Sequence, residues 1–191
     1  MSHEFGTEEQ KQKYLPKLAT GEYIGCFGLT EPDFGSDPGG MRTFAKRDGD
    51  DWVINGEKKW IGHGSVGHIA VVWARKDDGE VGGFIVDQDQ EGYDAETITG
   101  KGSLRGIPQA HIKLNNVRVS DDRRLPGCRS FRDTAQVLMA TRIGVAWSVQ
   151  QVEALPADLW DVPLHAVGSF LALIPQPLGL GSVELSDGRW V

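Results

Sequence analysis

The sequence predicts a mainly β fold, an antiparallel β-barrel or sandwich, with a short helix before it and the start of a helix after it. Two stretches, 43–62 and 68–87, alternate apolar and polar residues on both sides of a turn rich in Asp and Gly. Such patterns are typical of β-hairpins. Two more alternating runs follow at 92–100 and 110–119, which gives about seven short strands and favours a barrel or a sandwich.

Helical patterns flank these strands. Thr7 and Gln10 have the spacing of a capping box, which predicts a short helix near the N-terminus whose extent Pro16 and Gly21 limit. Residues 131–154 return to apolar residues at helical spacing and predict a second helix. The stretch after it keeps no period and holds several prolines, which would break a membrane-spanning helix. We therefore predict no membrane segment there.

Composition excludes several classes of protein. The 191 residues carry a formal net charge of -7, and a nucleic-acid surface would need clustered Lys and Arg. Cys26 and Cys128 have neither metal nor redox spacing, a usage typical of a reducing compartment. The charged N-terminus lacks the apolar core of a signal peptide. We therefore expect a cytoplasmic protein that binds neither nucleic acid nor membrane.

Three motifs indicate a binding site: "GLTEPDFGSD" at 28–37, "INGEKKWI" at 54–61 and "GKGSLRG" at 100–106. Glycines and prolines in the first let backbone groups approach a ligand closely, although such loops are more often plain connections between strands. The third motif lacks the spacing of a dinucleotide fingerprint, and no helix follows it. His63 and His68 have no third ligand at a recognisable spacing, so no metal site is predicted.

The order and spacing of these motifs resemble the acyl-CoA dehydrogenase family, in particular its glutaryl-CoA dehydrogenase-like and short-chain branch. The resemblance covers roughly residues 4–150 and includes "NNVRVSDDRRLPG" at 115–127, which is similar to the turn out of the family's central β-domain. It implies FAD as cofactor and an acyl-CoA thioester as substrate, dehydrogenated between its α and β carbons in fatty acid or amino acid catabolism. It also implies an electron-transfer flavoprotein or oxygen as electron acceptor.

The resemblance also implies roles for single residues. The backbone of Phe27, Gly28 and Leu29 and the hydroxyl of Thr30 would contact the flavin, because donors aimed at its pyrimidine end stabilise the reduced form. Trp60 would cover the ring, with Ile61 and Gly62 beside it. Ser36 would lie between flavin and CoA, and the substrate's CoA portion would be held by Ser103 and Arg105.

Each role has a structural alternative. Trp60 would otherwise fill a barrel core, Thr30 would be an ordinary residue at a strand end, and Arg105 would be solvated. Gly62 stands where many family members have a threonine, so only its backbone N–H could bond the flavin there. We interpret the acids Glu31, Asp33 and Asp37 as acceptors of backbone N–H groups that fix the loop, and we assign no catalytic residue.

The resemblance implies four segments. Residues 1–22 would be the remnant of an N-terminal helical domain, 23–125 the central β-barrel, 126–154 the start of a C-terminal helical domain, and 155–191 an atypical, disordered tail. In the family, the C-terminal helices supply the catalytic glutamate and most of the homotetramer interface. We therefore expect an incomplete, inactive chain. A non-catalytic flavin- or acyl-CoA-binding module and a non-functional truncated product stay open as alternatives.

Overall fold

The computed structural model describes residues 5–103 and 105–134. The helix predicted at 131–154 is helical over its first residues, and the rest of that helix and the tail at 155–191 lie outside the described residues. One α-helix and seven strands are numbered here in chain order: α1 Glu8–Ala19, β1 Gly25–Gly28, β2 Phe44–Asp48, β3 Asp51–Gly62, β4 Ile69–Lys76, β5 Val81–Asp87, β6 Tyr93–Thr97 and β7 Gln109–Ser120.

The strands form one curled sheet, a half-barrel, which confirms the predicted mainly β fold. The strand order is β1-β4-β2-β3-β7-β6, and β5 pairs with β4 off this path. The sheet is mixed, because β4 runs parallel to both β1 and β2, whereas the sequence predicts an antiparallel arrangement. Alternation along a strand shows which of its side chains face a core, but it does not show which other strand pairs with that strand.

Both predicted hairpins are present. β2 and β3 are joined by a two-residue turn between Asp48 and Asp51, which are paired, and Gly49 in that turn has a φ of 63°. β4 and β5 form the second hairpin, with Gly79 at a φ of 83°. A left-handed backbone favours glycine, which lacks the Cβ that would clash there. The two Asp-Gly signals in the sequence therefore identify the turns correctly.

Helix α1 begins and ends as predicted. The Thr7 hydroxyl accepts the Gln10 N–H at 3.2 Å, and the Gln10 side chain accepts the Thr7 N–H at 3.0 Å, which completes the capping box. The helix continues through Pro16 and ends at Ala19, before Gly21, within the extent predicted from these two residues. A proline near the helix C-terminus removes only one intrahelical hydrogen bond. Gly21, at a φ of 75°, follows the C-cap Thr20.

Two hydrophobic cores lie on opposite faces of the sheet. The inner core holds Trp52, Ile54, Phe84 and Ile112, with further side chains from β2, β4 and β7. The outer core contains Tyr14 of α1 together with residues of β4, β5 and the segment after β7. β4 and β5 are buried on both faces, which explains why their sequences are continuous apolar runs.

Candidate functional site

The first two motifs meet where β1 ends beside β3. The carbonyl of Thr30 accepts the backbone N–H of Lys59 at 2.8 Å. Gly28 is the last residue of β1 and pairs with Val72 of β4, and Leu29 after it is buried. This single backbone contact brings "GLTEPDFGSD" and "INGEKKWI" together, although they are separated by about twenty residues in the chain.

A buried ion pair lies directly behind this contact. Lys58 Nζ is 2.9 Å from Glu31 Oε1, and the two side chains are 0% and 4% exposed. Lys58 also donates to the Leu29 carbonyl at 3.1 Å. The Glu31 carboxylate accepts two more hydrogen bonds, from the backbone N–H groups of Arg42 at 2.6 Å and Thr43 at 2.9 Å. The interpretation of Glu31 as an acceptor that fixes the loop is therefore confirmed.

The electrostatics of this pair keep both groups charged at neutral pH. Burial lowers the pKa of Lys58 to about 8, and the charge of Glu31 opposes that shift. Burial would raise the pKa of Glu31, but the charge of Lys58 and the donated N–H groups outweigh it and the net shift is downward. Glu31 is thus an ionised carboxylate fully committed to its partners, and it is not a free base.

Trp60 has the exposed ring that the resemblance requires. It lies at a β-bulge, where the β3–β7 register shifts between Lys59 and Ile61, and its φ of 63° is unusual for a bulky residue. The bulge leaves Trp60 51% exposed and turns Ile61, at 3%, into the inner core. The alternative that Trp60 fills the barrel core is therefore wrong, whereas Ile61 presents only its backbone.

The third motif lies beside the end of β3. The carbonyl of Pro108 accepts the His63 N–H at 2.8 Å, and a Cβ built on Gly62 would lie 3.6 Å from the Ile107 side chain. A cavity of about 280 Å³ opens along this loop, and its wall includes Lys101 and Arg105. This volume is small for a whole coenzyme. Both cationic side chains thus border a space next to the Trp60 bulge.

The structure constrains the positions of the remaining predicted site residues through fewer contacts. Ser36, Ser103 and Arg105 are exposed on loops. None of the hydrogen bonds found within 5–103 and 105–134 joins Ser36 to Thr30 or Trp60, so its role stays a prediction. The Phe27 side chain belongs to the outer core, where its ring meets Trp73 edge-on at 5.9 Å. The Phe27 side chain is therefore partly buried against the outer core.

Sequence reasoning missed Lys58, although a signal for it existed. Trp52 and Ile54 face the inner core, and continued alternation along β3 puts Lys58 on the same buried side. A lysine is almost never fully buried without a partner, so an acid had to lie nearby.

Among the residues that the structure describes, no group of three or more His, Cys, Asp or Glu side chains could hold a metal ion.

Comparison with protein families agrees with this geometry. The model described as acyl-CoA dehydrogenase, middle domain, matches residues 26–117, and the one described as acyl-CoA dehydrogenase, N-terminal domain, matches residues 1–22. The chain belongs to the acyl-CoA dehydrogenase family. A third model, the allophanate hydrolase C-terminal domain, matches residues 132–191. The family assignment therefore rests on the part of the chain that contains α1 and the half-barrel.

Curated relatives support the family. A probable acyl-CoA dehydrogenase of Bacillus subtilis is 40% identical over 148 residues, which are 74% of this chain and 39% of the relative. The human mitochondrial short-chain specific acyl-CoA dehydrogenase is 36% identical over 148 residues, which are 74% of this chain and 36% of the relative. The chain thus spans less than half the length of these acyl-CoA dehydrogenases.

Solved structures are similar as well. Glutaryl-CoA dehydrogenase from Mycobacterium smegmatis matches with a TM-score of 0.74 and 41% identity over 90% of this chain and 46% of that one. A glutaryl-CoA dehydrogenase from Mycobacterium smegmatis in complex with FADH2 matches with a TM-score of 0.74 and 38% identity over 90% of this chain and 47% of that one. A chain from an electron transferring flavoprotein structure of Acidaminococcus fermentans matches with a TM-score of 0.70 and 34% identity over 76% and 40%.

The family's cofactor is FAD, which agrees with the flavin named in the similar structure. The exposed Trp60 ring offers an apolar face of the kind that covers a flat aromatic cofactor, and it follows Lys59, whose N–H binds the Thr30 carbonyl.

Within the described part of the chain, no helix has the length and apolar character needed to cross a membrane.

Proposed function

We propose that this chain contributes the FAD- and acyl-CoA-facing wall of an acyl-CoA dehydrogenase that oxidises a short acyl-CoA thioester between its α and β carbons. The observation that carries the proposal is the hydrogen bond from Lys59 to the Thr30 carbonyl, which joins the strand end of β1 to the Trp60 bulge. The similarity to a short-chain specific acyl-CoA dehydrogenase and to glutaryl-CoA dehydrogenase supports a short acyl group.

The chain's own residues would bind FAD in three ways. Trp60 would cover the apolar ring, the Thr30 hydroxyl and backbone groups of residues 27–29 would face the pyrimidine edge, and the Gly62 N–H would lie at the opposite side. Bound FAD supplies the two-electron oxidation that takes a hydride equivalent from the β-carbon. Ser36, Ser103 and Arg105 would hold the CoA portion, with Arg105 suited to phosphate.

Proton removal from the α-carbon requires a free carboxylate. Glu31 cannot serve, because it is buried and binds Lys58 and two backbone N–H groups. We therefore propose that the acid belongs to another segment or subunit, and that the isolated chain binds FAD without turnover.

In a complete homotetramer, electrons would pass to an electron-transfer flavoprotein or to oxygen. The free thiols of Cys26 and Cys128 favour a cytoplasmic setting.

A second function has one observation in its favour. A non-catalytic module that binds flavin or acyl-CoA would need the Trp60 wall and no free acid, and the commitment of Glu31 to Lys58 meets that requirement. A non-functional truncated product would bind neither ligand. Flavin binding therefore separates the truncated product from the other two, whereas turnover by the isolated chain is expected from none of the three.

Flavin titration of the purified 191-residue chain tests the proposal. We expect saturable FAD binding, and Trp60→Ala should weaken it about tenfold or more, equivalent to about 1.4 kcal/mol, because stacking is lost. Phe44→Ala is the matched control, since Phe44 is 48% exposed against 51% for Trp60 but lies on β2. The absence of any FAD binding would refute the proposed wall.

An activity assay tests the second part. Butyryl-CoA or glutaryl-CoA is supplied with an artificial electron acceptor to the FAD-loaded chain alone. We expect no turnover above the rate without protein, because Glu31, the buried acid of this wall, is committed to Lys58. Turnover by the chain alone would show that the chain holds its own base.

A further inference from the structure

Two consecutive carbonyls of the predicted flavin wall are held by Lys58, a member of the buried pair, and by its neighbour Lys59. Lys58 donates through its side chain to the Leu29 carbonyl at 3.1 Å, and the next residue, Lys59, donates through its backbone to the Thr30 carbonyl at 2.8 Å. Adjacent residues of β3 therefore hold adjacent residues of the segment after β1. The direction of the Leu29 and Thr30 peptide planes is fixed by these two bonds.

Glu31 extends this attachment to a third segment. Its carboxylate binds the Lys58 ammonium and also the backbone N–H groups of Arg42 and Thr43, which precede β2. One carboxylate thus joins the segment after β1, the approach to β2 and the middle of β3. Three donors on two oxygens leave little rotational freedom, so the carboxylate position is defined.

Stability alone gives a weak reason for such a pair. Replacing a buried ion pair by apolar residues of similar volume is often neutral or stabilising, because desolvation of two charges offsets their attraction. Lys58 occupies an inward position of β3, where Trp52 and Ile54 precede it as core residues. An apolar residue would fill this position equally well, but it could not donate to the Leu29 carbonyl.

We propose that Lys58 and Glu31 are positioning residues that hold the Leu29–Thr30 backbone in the orientation that binds FAD. This inference rests on the proposed function, since the wall has a role only if a flavin binds there. The pair touches no reacting atom and acts through the backbone of the neighbouring segment. Loss of the pair should therefore weaken flavin binding even in a variant that stays folded.

The test compares the wild-type chain with the double variant that combines Lys58→Met with Glu31→Gln. The methionine side chain keeps the volume of the lysine, and no unpaired buried charge remains. The N–H groups of Arg42 and Thr43 bind different oxygens of Glu31, so the single carbonyl oxygen of the glutamine keeps an acceptor for one of them. The control is Arg118→Gln, which breaks ion pairs on the exposed side of the sheet. Each protein is examined for its unfolding midpoint, FAD affinity and backbone hydrogen exchange.

We expect the double variant to stay folded with an unfolding midpoint moderately below that of the wild type, to bind FAD at least tenfold more weakly, and to exchange the Lys59 amide at least tenfold faster. The Leu125 amide, which donates to the Gly83 carbonyl at 2.8 Å, serves as the internal reference and should not change. Wild-type FAD affinity and unchanged Lys59 exchange in the double variant would overturn the inference. A wild-type chain that binds no FAD refutes the proposed function, and exchange at Lys59 then still decides whether the pair positions the strand end.

Discussion

Trp60 shows how a single residue combines strain with exposure. A bulky side chain at a φ of 63° costs on the order of 1–3 kcal/mol, and half of the ring remains in contact with solvent. The motif identifies Trp60 as a ligand-facing residue, but the bulge that turns it outward could not be read from the alternation. A bulge shifts the pattern by one residue, and only the partner strand reveals the shift.

Asp121 gives a prediction at the same scale. Its carboxylate accepts the Trp52 indole N–H at 2.7 Å and lies close to Arg124 and Arg47, and these contacts lower its pKa to about 2. A depressed folded-state pKa contributes stability that is present above the ordinary value of 3.8 and is lost as pH falls towards 2. Asp121→Asn should therefore destabilise the chain at neutral pH and lose this effect in acid.

The size of the Asp121 effect is reduced by solvent, because the side chain is 40% exposed. We expect a loss of about 1 kcal/mol at pH 7 in urea unfolding, shrinking towards zero between about pH 4 and pH 2. The asparagine keeps an acceptor for the Trp52 indole, so the comparison isolates the charge. A difference between the two proteins that is independent of pH would contradict the assigned cause.

At the scale of elements, β3 is the strand that organises the site. It pairs with β2 on one side and β7 on the other, and the β3–β7 register shifts twice: near Gly56, where the extra residue lies on β7, and at Trp60, where it lies on β3. The first lies against Thr43, whose hydroxyl donates to the Glu57 carbonyl at 3.3 Å. β3 thus delivers Lys58 inward and Trp60 outward within three residues, which an unbroken alternation would not do.

Two glycines of the β2–β3 hairpin test whether the close approach of Gly56 to Thr43 constrains the fold. Gly56 has a φ of 144°, and a Cβ built there would lie 2.6 Å from Thr43 Cα, whereas Gly49 has a φ of 63° and open space around it. Gly56→Ala should cost about 3 kcal/mol or more, because a clash with backbone adds to the conformational strain. Gly49→Ala is the matched control and should cost about 1 kcal/mol.

Denaturant midpoints of the two alanine variants provide the measurement. Equal losses of stability in both would mean that the close approach of Gly56 to Thr43 does not constrain the fold.

The hairpins themselves were predictable, because turn chemistry and alternation are local signals. The parallel pairing of β1 with β4 was not, since it joins segments about forty residues apart without any local sequence mark.

At the scale of the whole molecule, helix α1 is attached to the sheet through a buried polar group. Gln10 is 5% exposed, and its side-chain amide donates to the carbonyls of Asp122 at 2.6 Å and Arg124 at 2.9 Å. Beside it, Tyr14 packs into the outer core. The start of the described chain is therefore bound to the segment that follows β7.

Gln10→Ala should destabilise the chain by about 2–3 kcal/mol, because two carbonyls lose their donor and the capping box is broken. Gln12→Ala is the matched control, since Gln12 is exposed on the same helix and should change stability by less than about 0.5 kcal/mol. Thermal unfolding followed by circular dichroism measures both. Similar midpoints for the two variants would refute the anchoring role of Gln10.

The motifs of the candidate site could be predicted from the sequence, but the contacts between their residues could be predicted only in part. The residues around Thr30 and Trp60 meet, as the resemblance implies, because the end of β1 lies against β3 at that end of the sheet. The Lys58–Glu31 pair was missed because Lys58 stands in a run of charged residues, which masks the alternation that places Lys58 on the buried side of β3. Long-range partners of buried charges require the tertiary fold.

The pairing of β3 with β7 also has a consequence for how the chain is made. These strands join residues roughly 50 to 70 positions apart, so β3 emerges from the ribosome well before its second neighbour. At about 5–20 residues per second, it waits several seconds with one bare edge, the condition under which nascent strands associate wrongly. Charged side chains such as Glu57, Lys58 and Lys59 make such association less favourable, and β7 then pairs with that edge.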